Sequence, residues 1–338
     1  MMNKSNHLLF ISMLMMSVVF SVSSNSWFVV WMGMEINIMS FIPLIINQNN
    51  LNSKESSLTY FLVQTIASML MMMSIIMMMI NYNKININNN IIGEYMLLSS
   101  LMMKNGISPF HFWMPKMMEG MNWYLCMTLM TWQKIIPMMM MSNLLKINMI
   151  SIVGVILSIT VGAIGGLNQT SLRKLMAYSS INNNGWMMAA MMFSENMWML
   201  YFTLYSMMTI ALTLALMNYK IYHINQLMSM NESTFMKMML LMNMLSISGL
   251  PPLLGFMPKW MIIHTMLNIN EMMMIGLMIM VTLITIYYYL RVMYSMMMLS
   301  NIEPKWNFNK KTNKPLNMIT IIMSIMGLTI ITLMMSLY

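Results

Sequence analysis

The sequence predicts an all-α polytopic membrane protein with about eleven transmembrane helices. Only 7% of its 338 residues are charged, whereas a soluble domain carries about 25%, so water cannot be the solvent for most of its surface. The apolar runs are about 20 residues long, the length that a helix needs to cross the hydrocarbon core. A transmembrane barrel would instead show stretches of about 10 residues with alternating polarity.

Eleven apolar runs support this prediction, and they are joined by short polar connections such as NQNNLNSKESS and NYNKININNN. The first run follows a short polar head that lacks the Arg-rich character of an import presequence, so we expect a retained helix. No connection is large enough for a soluble domain, which predicts a single transmembrane domain over 1–338. The predicted spans are 8–24, 27–47, 58–80, 91–112, 123–142, 149–166, 171–193, 197–220, 237–267, 271–297 and 317–337.

Prolines interrupt three of these spans, and a proline removes a backbone hydrogen bond within a helix. Pro109 and Pro137 lie in the fourth and fifth spans, and the stretch SGLPPLLGFMPK lies in the ninth. We therefore predict broken helices near 104–112 and 248–260. Carbonyl groups released at such breaks are tolerated at membrane depth only where protein or internal water satisfies them.

Four charged residues lie well inside predicted spans, namely Glu35, Lys104, Lys134 and Lys259. A charge at the bilayer centre costs about 2.5–3.5 kcal/mol on insertion scales, so we expect all four to face the bundle interior, a partner or internal water. Burial favours a neutral lysine and a nearby carboxylate favours its ammonium form, so such residues can exchange protons. The pattern predicts a proton relay or, alternatively, a kink with a structural salt bridge from Glu35 to one lysine.

The other basic residues predict topology. Eleven lie on the N-terminal side, against Lys84 and Lys146 on the other, so the positive-inside rule places the N-terminus in the compartment of synthesis and the C-terminus opposite. Arg291 follows Tyr287, Tyr288 and Tyr289 and is expected to snorkel to an aromatic belt. The eleven are Lys4, Lys54, Lys116, Arg173, Lys174, Lys220, Lys237, Lys305, Lys310, Lys311 and Lys314.

The sequence contains no constellation typical of a self-contained enzyme. Cys126 is the only cysteine, which excludes internal disulfides and Cys-ligated clusters, and the four histidines show no metal-ligand spacing. No nucleotide-binding motif of the G-x-G-x-x-G or G-x-x-x-x-G-K-[ST] type occurs. Topology explains the net charge of +9, so we predict no nucleic-acid site.

A possible internal repeat joins the two predicted breaks. The segments GISPFHFWMPK, from Gly106, and GLPPLLGFMPK, from Gly249, share Gly, Pro, Met, Pro and Lys at equal spacing. This alignment pairs Lys116 with Lys259 and leaves Lys104 without a counterpart. It suggests two related halves, each with a broken helix.

Five motifs carry a resemblance over nearly the whole chain: SNSWFVVWMGMEINIMSFIPLI, KNGISPFHFWMPKMMEG, LMTWQKIIP, GAIGGLNQTSLRKLMAYSSI and SGLPPLLGFMPKW. With them the chain resembles the mitochondrially encoded subunit 2 family of NADH:ubiquinone oxidoreductase, respiratory complex I. These antiporter-like subunits are related to cation/proton antiporters. The resemblance implies inverted repeats of five helices, each with a discontinuous helix, and the 63 methionines and absence of Asp suit a mitochondrial gene.

The resemblance also implies roles for the four interior charges. Glu35 would modulate Lys104 of the first broken helix, Lys134 would be the central lysine of a hydrophilic axis, and Lys259 would link that axis to its exit or to a neighbouring subunit. Asn183 stands where many relatives carry His, and an amide does not titrate near neutrality. A water would therefore have to carry protons at that point.

By the same resemblance, this chain would hold no cofactor, because NADH, flavin, iron–sulfur clusters and ubiquinone would belong to other subunits. Its partners would be other membrane-arm subunits, including neighbouring antiporter-like ones, and membrane lipids. It would lie in the mitochondrial inner membrane with its N-terminus on the matrix side and its C-terminus on the intermembrane-space side. Two other classes stay open on the residues alone, a freestanding cation/proton antiporter and a purely structural scaffold.

Overall fold

The helices of the structure follow the predicted spans in order. The computed structural model describes residues 4–47, 49–82, 87–145, 147–228 and 234–298, and this part of the chain contains no β-strand. The predicted eleventh span, 317–337, and the connection 300–316 lie outside the described residues. The helices are α1 Lys4–Val22, α2 Trp27–Ile45, α3 Leu51–Tyr82, α4 Ile87–Asn105, α5 Trp113–Gly120, α6 Trp123–Met130, α7 Ile135–Ser142, α8 Met149–Gly166, α9 Leu172–Phe193, α10 Glu195–Tyr219, α11 Ile224–Met228, α12 Thr234–Ser248, α13 Phe256–Asn268 and α14 Met272–Met298.

Six of the described helices are long and apolar enough to cross a membrane, namely α1, α2, α3, α8, α10 and α14. Their serine and threonine side chains mostly donate to a backbone carbonyl three or four residues earlier, as Ser17 does to Leu14 (2.9 Å) and Thr213 to Thr209 (2.8 Å). These bonds satisfy hydroxyl groups that lipid could not. Polar residues can therefore occur in these helices without marking a functional site.

Three of the predicted spans are interrupted, and a proline lies within or close to each interruption. Helix α4 ends at Asn105, and the chain runs through 106–112 before the short helix α5 begins. In the fifth span, a 3-10 turn, Trp132–Lys134, separates α6 from α7. In the ninth span, 249–255 separates α12 from α13. Lys104, Lys134 and Lys259 thus all lie beside an interruption of a helix.

The two segments of the suggested repeat share a backbone feature. Gly106 and Gly249 each follow the end of a helix and have positive φ angles of 67° and 87°, which glycine adopts without steric cost. The lysines that the alignment pairs differ in environment. Lys116 is exposed and forms an ion pair with Glu55 at 3.0 Å, whereas Lys259 is buried.

The chain divides into two compact units with the boundary between Gly154 and Val155. In the first unit α3 packs against α2, α4 and α5, and α7 packs against α1 and α4. In the second unit α10 packs against α9, α12 and α13, and α14 packs against α11, α12 and α13. Each unit therefore contains one of the two helix breaks predicted near 104–112 and 248–260, surrounded by its own helices.

Candidate functional site

Two of the predicted interior lysines line one cavity in the first unit. The side chains of Lys104 and Lys134 are only 7% and 2% exposed. The cavity offers about 30 Å³ to the centres of water molecules, and one water centre needs about 10–15 Å³, so roughly two waters fit. Its lining is Met34, Asn37, Ile38, Tyr60, Gln64, Lys104, Asn105, Trp113, Met114, Leu129, Gln133, Lys134, Ile136 and Pro137.

Lys104 lies in the last turn of α4, where the helix leaves carbonyl groups without intrahelical partners. The Gln64 side chain on α3 donates to the Lys104 carbonyl at 3.2 Å, and the Trp113 indole donates to the Met103 carbonyl at 3.1 Å. The lysine ammonium itself donates to the sulfur of Met34, on α2, at 3.1 Å. Protein side chains thus hydrogen-bond the carbonyl groups that are released at this break. The ammonium end of Lys104 points towards α2.

Glu35 is adjacent to Met34 in the sequence but does not pair with Lys104. Its Oε1 atom is buried and has no hydrogen-bond partner, and among the described residues no lysine nitrogen lies within 4.0 Å of its carboxylate. The arrangement differs from the predicted alternative, a structural salt bridge from Glu35 to one lysine.

Lys134 ends the 3-10 turn that precedes α7, and an amide pair lies beside it. Asn37 Nδ2 donates to Gln133 Oε1 at 2.9 Å, and Gln133 Nε2 donates back to Asn37 Oδ1 at 3.1 Å. The Tyr60 hydroxyl also approaches Gln133 Oε1, at 3.5 Å. These groups give the cavity a hydrogen-bonding wall that can both donate and accept.

Lys259 stabilises the break in the second unit directly. It lies in the first turn of α13, is 5% exposed and donates to the Ser248 carbonyl at the end of α12 at 2.7 Å. Its nitrogen also lies 5.7 Å from the centre of the Trp186 ring, within cation–π range. A Cβ atom on Gly249 would lie 2.9 Å from this nitrogen. The lysine ammonium therefore satisfies the carbonyl that the helix break releases, and the absence of a side chain at Gly249 leaves room for it.

A buried tyrosine cluster in the second unit was not found from the sequence. Asn183 Oδ1 accepts a hydrogen bond from the Tyr201 hydroxyl at 2.9 Å, so the side-chain amide of Asn183 is bound directly by protein. On the same helix, Ser180 is hydrogen-bonded to Tyr205 and Ser179 to Tyr289. The three tyrosine hydroxyl groups are thus bound by α9 residues that span slightly more than one helical turn, Ser179 to Asn183.

The prediction of an aromatic belt beside Arg291 was wrong. Tyr288 and Tyr289 are fully buried, and only Tyr287 of the three is exposed, so the tyrosines are not an interfacial belt. Arg291 is exposed, as expected, but it donates to the Leu167 carbonyl just past the end of α8, where a cation interacts favourably with the helix terminus. Lys237, which was assigned to the N-terminal side, has a buried side chain in α12.

Within the described ranges, no group of three or more His, Cys, Asp or Glu side chains could hold a metal ion. Cys126 is buried, and its thiol lies 3.6 Å from the Met118 carbonyl, to which it donates. The chemistry that the described residues do bring together is amines beside a small polar cavity, with one carboxylate close by. That set can hold and pass protons, and it contains no nucleophile activated by a base.

Comparisons with known proteins agree on one family. A sequence profile described as NADH:quinone oxidoreductase/Mrp antiporter, TM, matches residues 24–285. Proteins named NADH-ubiquinone oxidoreductase chain 2 are 46% identical over 231 residues in Anopheles gambiae (68% of this chain, 67% of that one) and 42% identical over 240 residues in Locusta migratoria (71% and 70%).

Solved structures confirm the fold class as an all-α membrane protein of the antiporter-like type. A chain of the respiratory complex I from Thermus thermophilus with bound aureothin superposes with a TM-score of 0.81 at 18% identity, covering 97% of this chain and 79% of that one. A chain of the Mrp complex from Dietzia gives a TM-score of 0.77 at 13% identity, covering 91% and 63%.

Proposed function

The chain belongs to the NADH:quinone oxidoreductase/Mrp antiporter transmembrane family, and on this premise we propose that it is a core membrane subunit of respiratory complex I that translocates protons. The observation that carries the proposal is the pair Lys104 and Lys134, buried at two helix interruptions and lining one cavity with room for water. A buried lysine is costly, and it is retained in a membrane chiefly where it serves a function.

In the proposed proton pathway, the interior ionisable residues are protonated and deprotonated one after another. A like charge nearby favours the neutral form of a lysine, and an opposite charge favours its ammonium form. Loading of one member of the series Glu35, Lys104, Lys134 and Lys259 therefore changes the proton affinity of the next. Oxidation of NADH and reduction of ubiquinone elsewhere in the complex would drive these changes through charge, without an electron entering this chain.

The chain acts as one transmembrane domain built of two related halves, each with a broken helix. The positive φ angles of Gly106 and Gly249, at the start of the two related segments, support this organisation. Lys259 serves as the last titratable residue of the path. Its bond to the Ser248 carbonyl holds its charge at the break rather than at the surface.

Membership of this family supports a proposal for the partners and the location of the chain. The partners are other membrane-arm subunits of complex I, including neighbouring antiporter-like subunits, together with membrane lipids, and the chain binds no nucleic acid. NADH, flavin, iron–sulfur clusters and ubiquinone are held by the other subunits. The protein lies in the mitochondrial inner membrane, with its N-terminus in the matrix and its C-terminus in the intermembrane space, as the lysine distribution favours.

A freestanding cation/proton antiporter is the alternative, since the likeness to a chain of the Mrp complex shows that the fold serves that class as well. Reconstitution separates the two. The purified chain alone in proteoliposomes should exchange no Na⁺ or K⁺ for protons if it is a complex I subunit, whereas an antiporter should do so under an imposed pH gradient.

The proposed function is tested by Lys134→Met, with the exposed Lys54→Met as the matched control. We expect the Lys134 variant to assemble, because the neutral side chain removes a buried charge, and to pump fewer protons per electron. Proton uptake and NADH oxidation are measured together in proteoliposomes that contain the purified complex. An assembled Lys134→Met complex with the control's full stoichiometry would contradict the proposal.

A further inference from the structure

The ammonium of Lys104 has a partner that sequence reasoning would not assign. It donates to the sulfur of Met34 at 3.1 Å, and Met34 is almost fully buried on α2. A thioether is a weak acceptor, and a buried ammonium is ordinarily paired with a carboxylate or with several strong acceptors. The contact is therefore unusual enough to require an explanation.

A stronger acceptor lies next to this sulfur in the sequence. Glu35 Oε1 is buried without a hydrogen-bond partner. Consecutive residues of a helix point about 100° apart, so the ammonium lies on the Met34 side of α2 and not against the carboxylate. The other titratable groups around it are Tyr60 and Lys134, which line the same cavity.

We propose that Met34 is a positioning residue that supplies a neutral, weak acceptor for Lys104 and so keeps its ammonium out of direct contact with Glu35. The inference rests on the proposed proton-translocating function and deepens it. A direct pair with Glu35 would stabilise the ammonium and slow the release of its proton. The thioether holds the side chain in the cavity while leaving that proton available to water and to Lys134.

The proposal predicts the effect of removing the sulfur. Met34→Leu conserves volume, a change that cores usually tolerate, but it removes the acceptor of the ammonium, which can then turn to the unpartnered carboxylate of Glu35. We expect the initial rate of proton pumping at neutral pH to fall by about tenfold, the order expected from one added charge-assisted hydrogen bond. Met71→Leu is the matched control, because Met71 is as buried on α3 as Met34 is on α2 and its sulfur accepts no hydrogen bond from the described part of the chain.

Two further variants separate positioning from packing. Met34→Gln restores a neutral acceptor and should keep the pumping rate within about threefold of the native rate. In a Glu35→Gln background the carboxylate is gone, so adding Met34→Leu should cause no further loss. Equal losses for Met34→Leu and Met34→Gln, or the same loss in both backgrounds, would overturn the proposal.

All variants are assayed as assembled complex in proteoliposomes, with NADH oxidation recorded alongside. If Lys104→Met leaves pumping unchanged, the proposed role of Lys104 itself fails. If Lys104→Met abolishes pumping while Met34→Leu behaves like Met71→Leu, only the inference about Met34 fails. If Met34→Leu does not assemble, the comparison of Met34→Gln with the native complex decides, and a loss greater than about threefold contradicts the proposal.

Discussion

Replacing Gly249 by alanine tests whether the second helix break positions Lys259. At φ of +87° an alanine is strained by about 1–2 kcal/mol, and its Cβ would lie 2.9 Å from the Lys259 nitrogen and 3.0 Å from its Cδ. The ammonium must then leave the Ser248 carbonyl, which it contacts at 2.7 Å, and a hydrogen bond from a charged group contributes about 1.5–3 kcal/mol. The native break, with residue 249 at positive φ and Lys259 bound to the Ser248 carbonyl, is therefore destabilised by about 2.5–5 kcal/mol.

We expect the Gly249→Ala complex to oxidise NADH while pumping fewer protons per electron, measured in proteoliposomes against Gly276→Ala. Gly276 is the matched control because a Cβ added there meets nothing within 4 Å. Full stoichiometry in Gly249→Ala, in a complex whose density map shows Lys259 displaced from Ser248, would refute the reasoning that this contact matters.

Two other predictions concern buried polar pairs. Asn37→Leu leaves the Gln133 amide without the two bonds at 2.9 and 3.1 Å and should destabilise the assembled subunit by about 1–3 kcal/mol, measured by thermal inactivation. The double variant Asn37→Leu with Gln133→Leu should recover most of this stability, and a double variant that loses the sum of the two single losses would contradict the prediction. Tyr201→Phe removes the donor to Asn183 at 2.9 Å and should lower thermal stability by about 1 kcal/mol. Tyr287→Phe, at an exposed tyrosine, should leave thermal stability unchanged. Equal thermal stability of the two variants would show that the Tyr201 hydrogen bond contributes nothing.

The helix breaks and the interior lysines could be predicted from the sequence because their signals are local. Proline and glycine act on the backbone wherever they stand, and a lysine inside an apolar run is conspicuous whatever surrounds it. The prediction of burial for Lys104, Lys134 and Lys259 is confirmed for this reason. The roles assigned to them stay predictions.

The partners of these residues could not be predicted, because the helices are apolar on nearly all sides. In a soluble protein the polar face of a helix marks the surface, but lipid is as apolar as a protein core. Tyr288 and Tyr289 therefore looked like residues of an interfacial belt although they are buried. Nothing in the sequence indicated that Met34 would accept a hydrogen bond from Lys104, since 63 methionines gave no reason to single one out.

The central claim is that buried lysines at helix interruptions share a hydrated path through which protons move. The most direct test is a density map of the assembled complex at a resolution that shows ordered water. The account predicts one or two waters in the cavity of about 30 Å³, within hydrogen-bond distance of the nitrogens of Lys104 or Lys134 and of the Asn37–Gln133 pair. A cavity closed by side chains, with both lysine nitrogens bound only to protein groups, would contradict it.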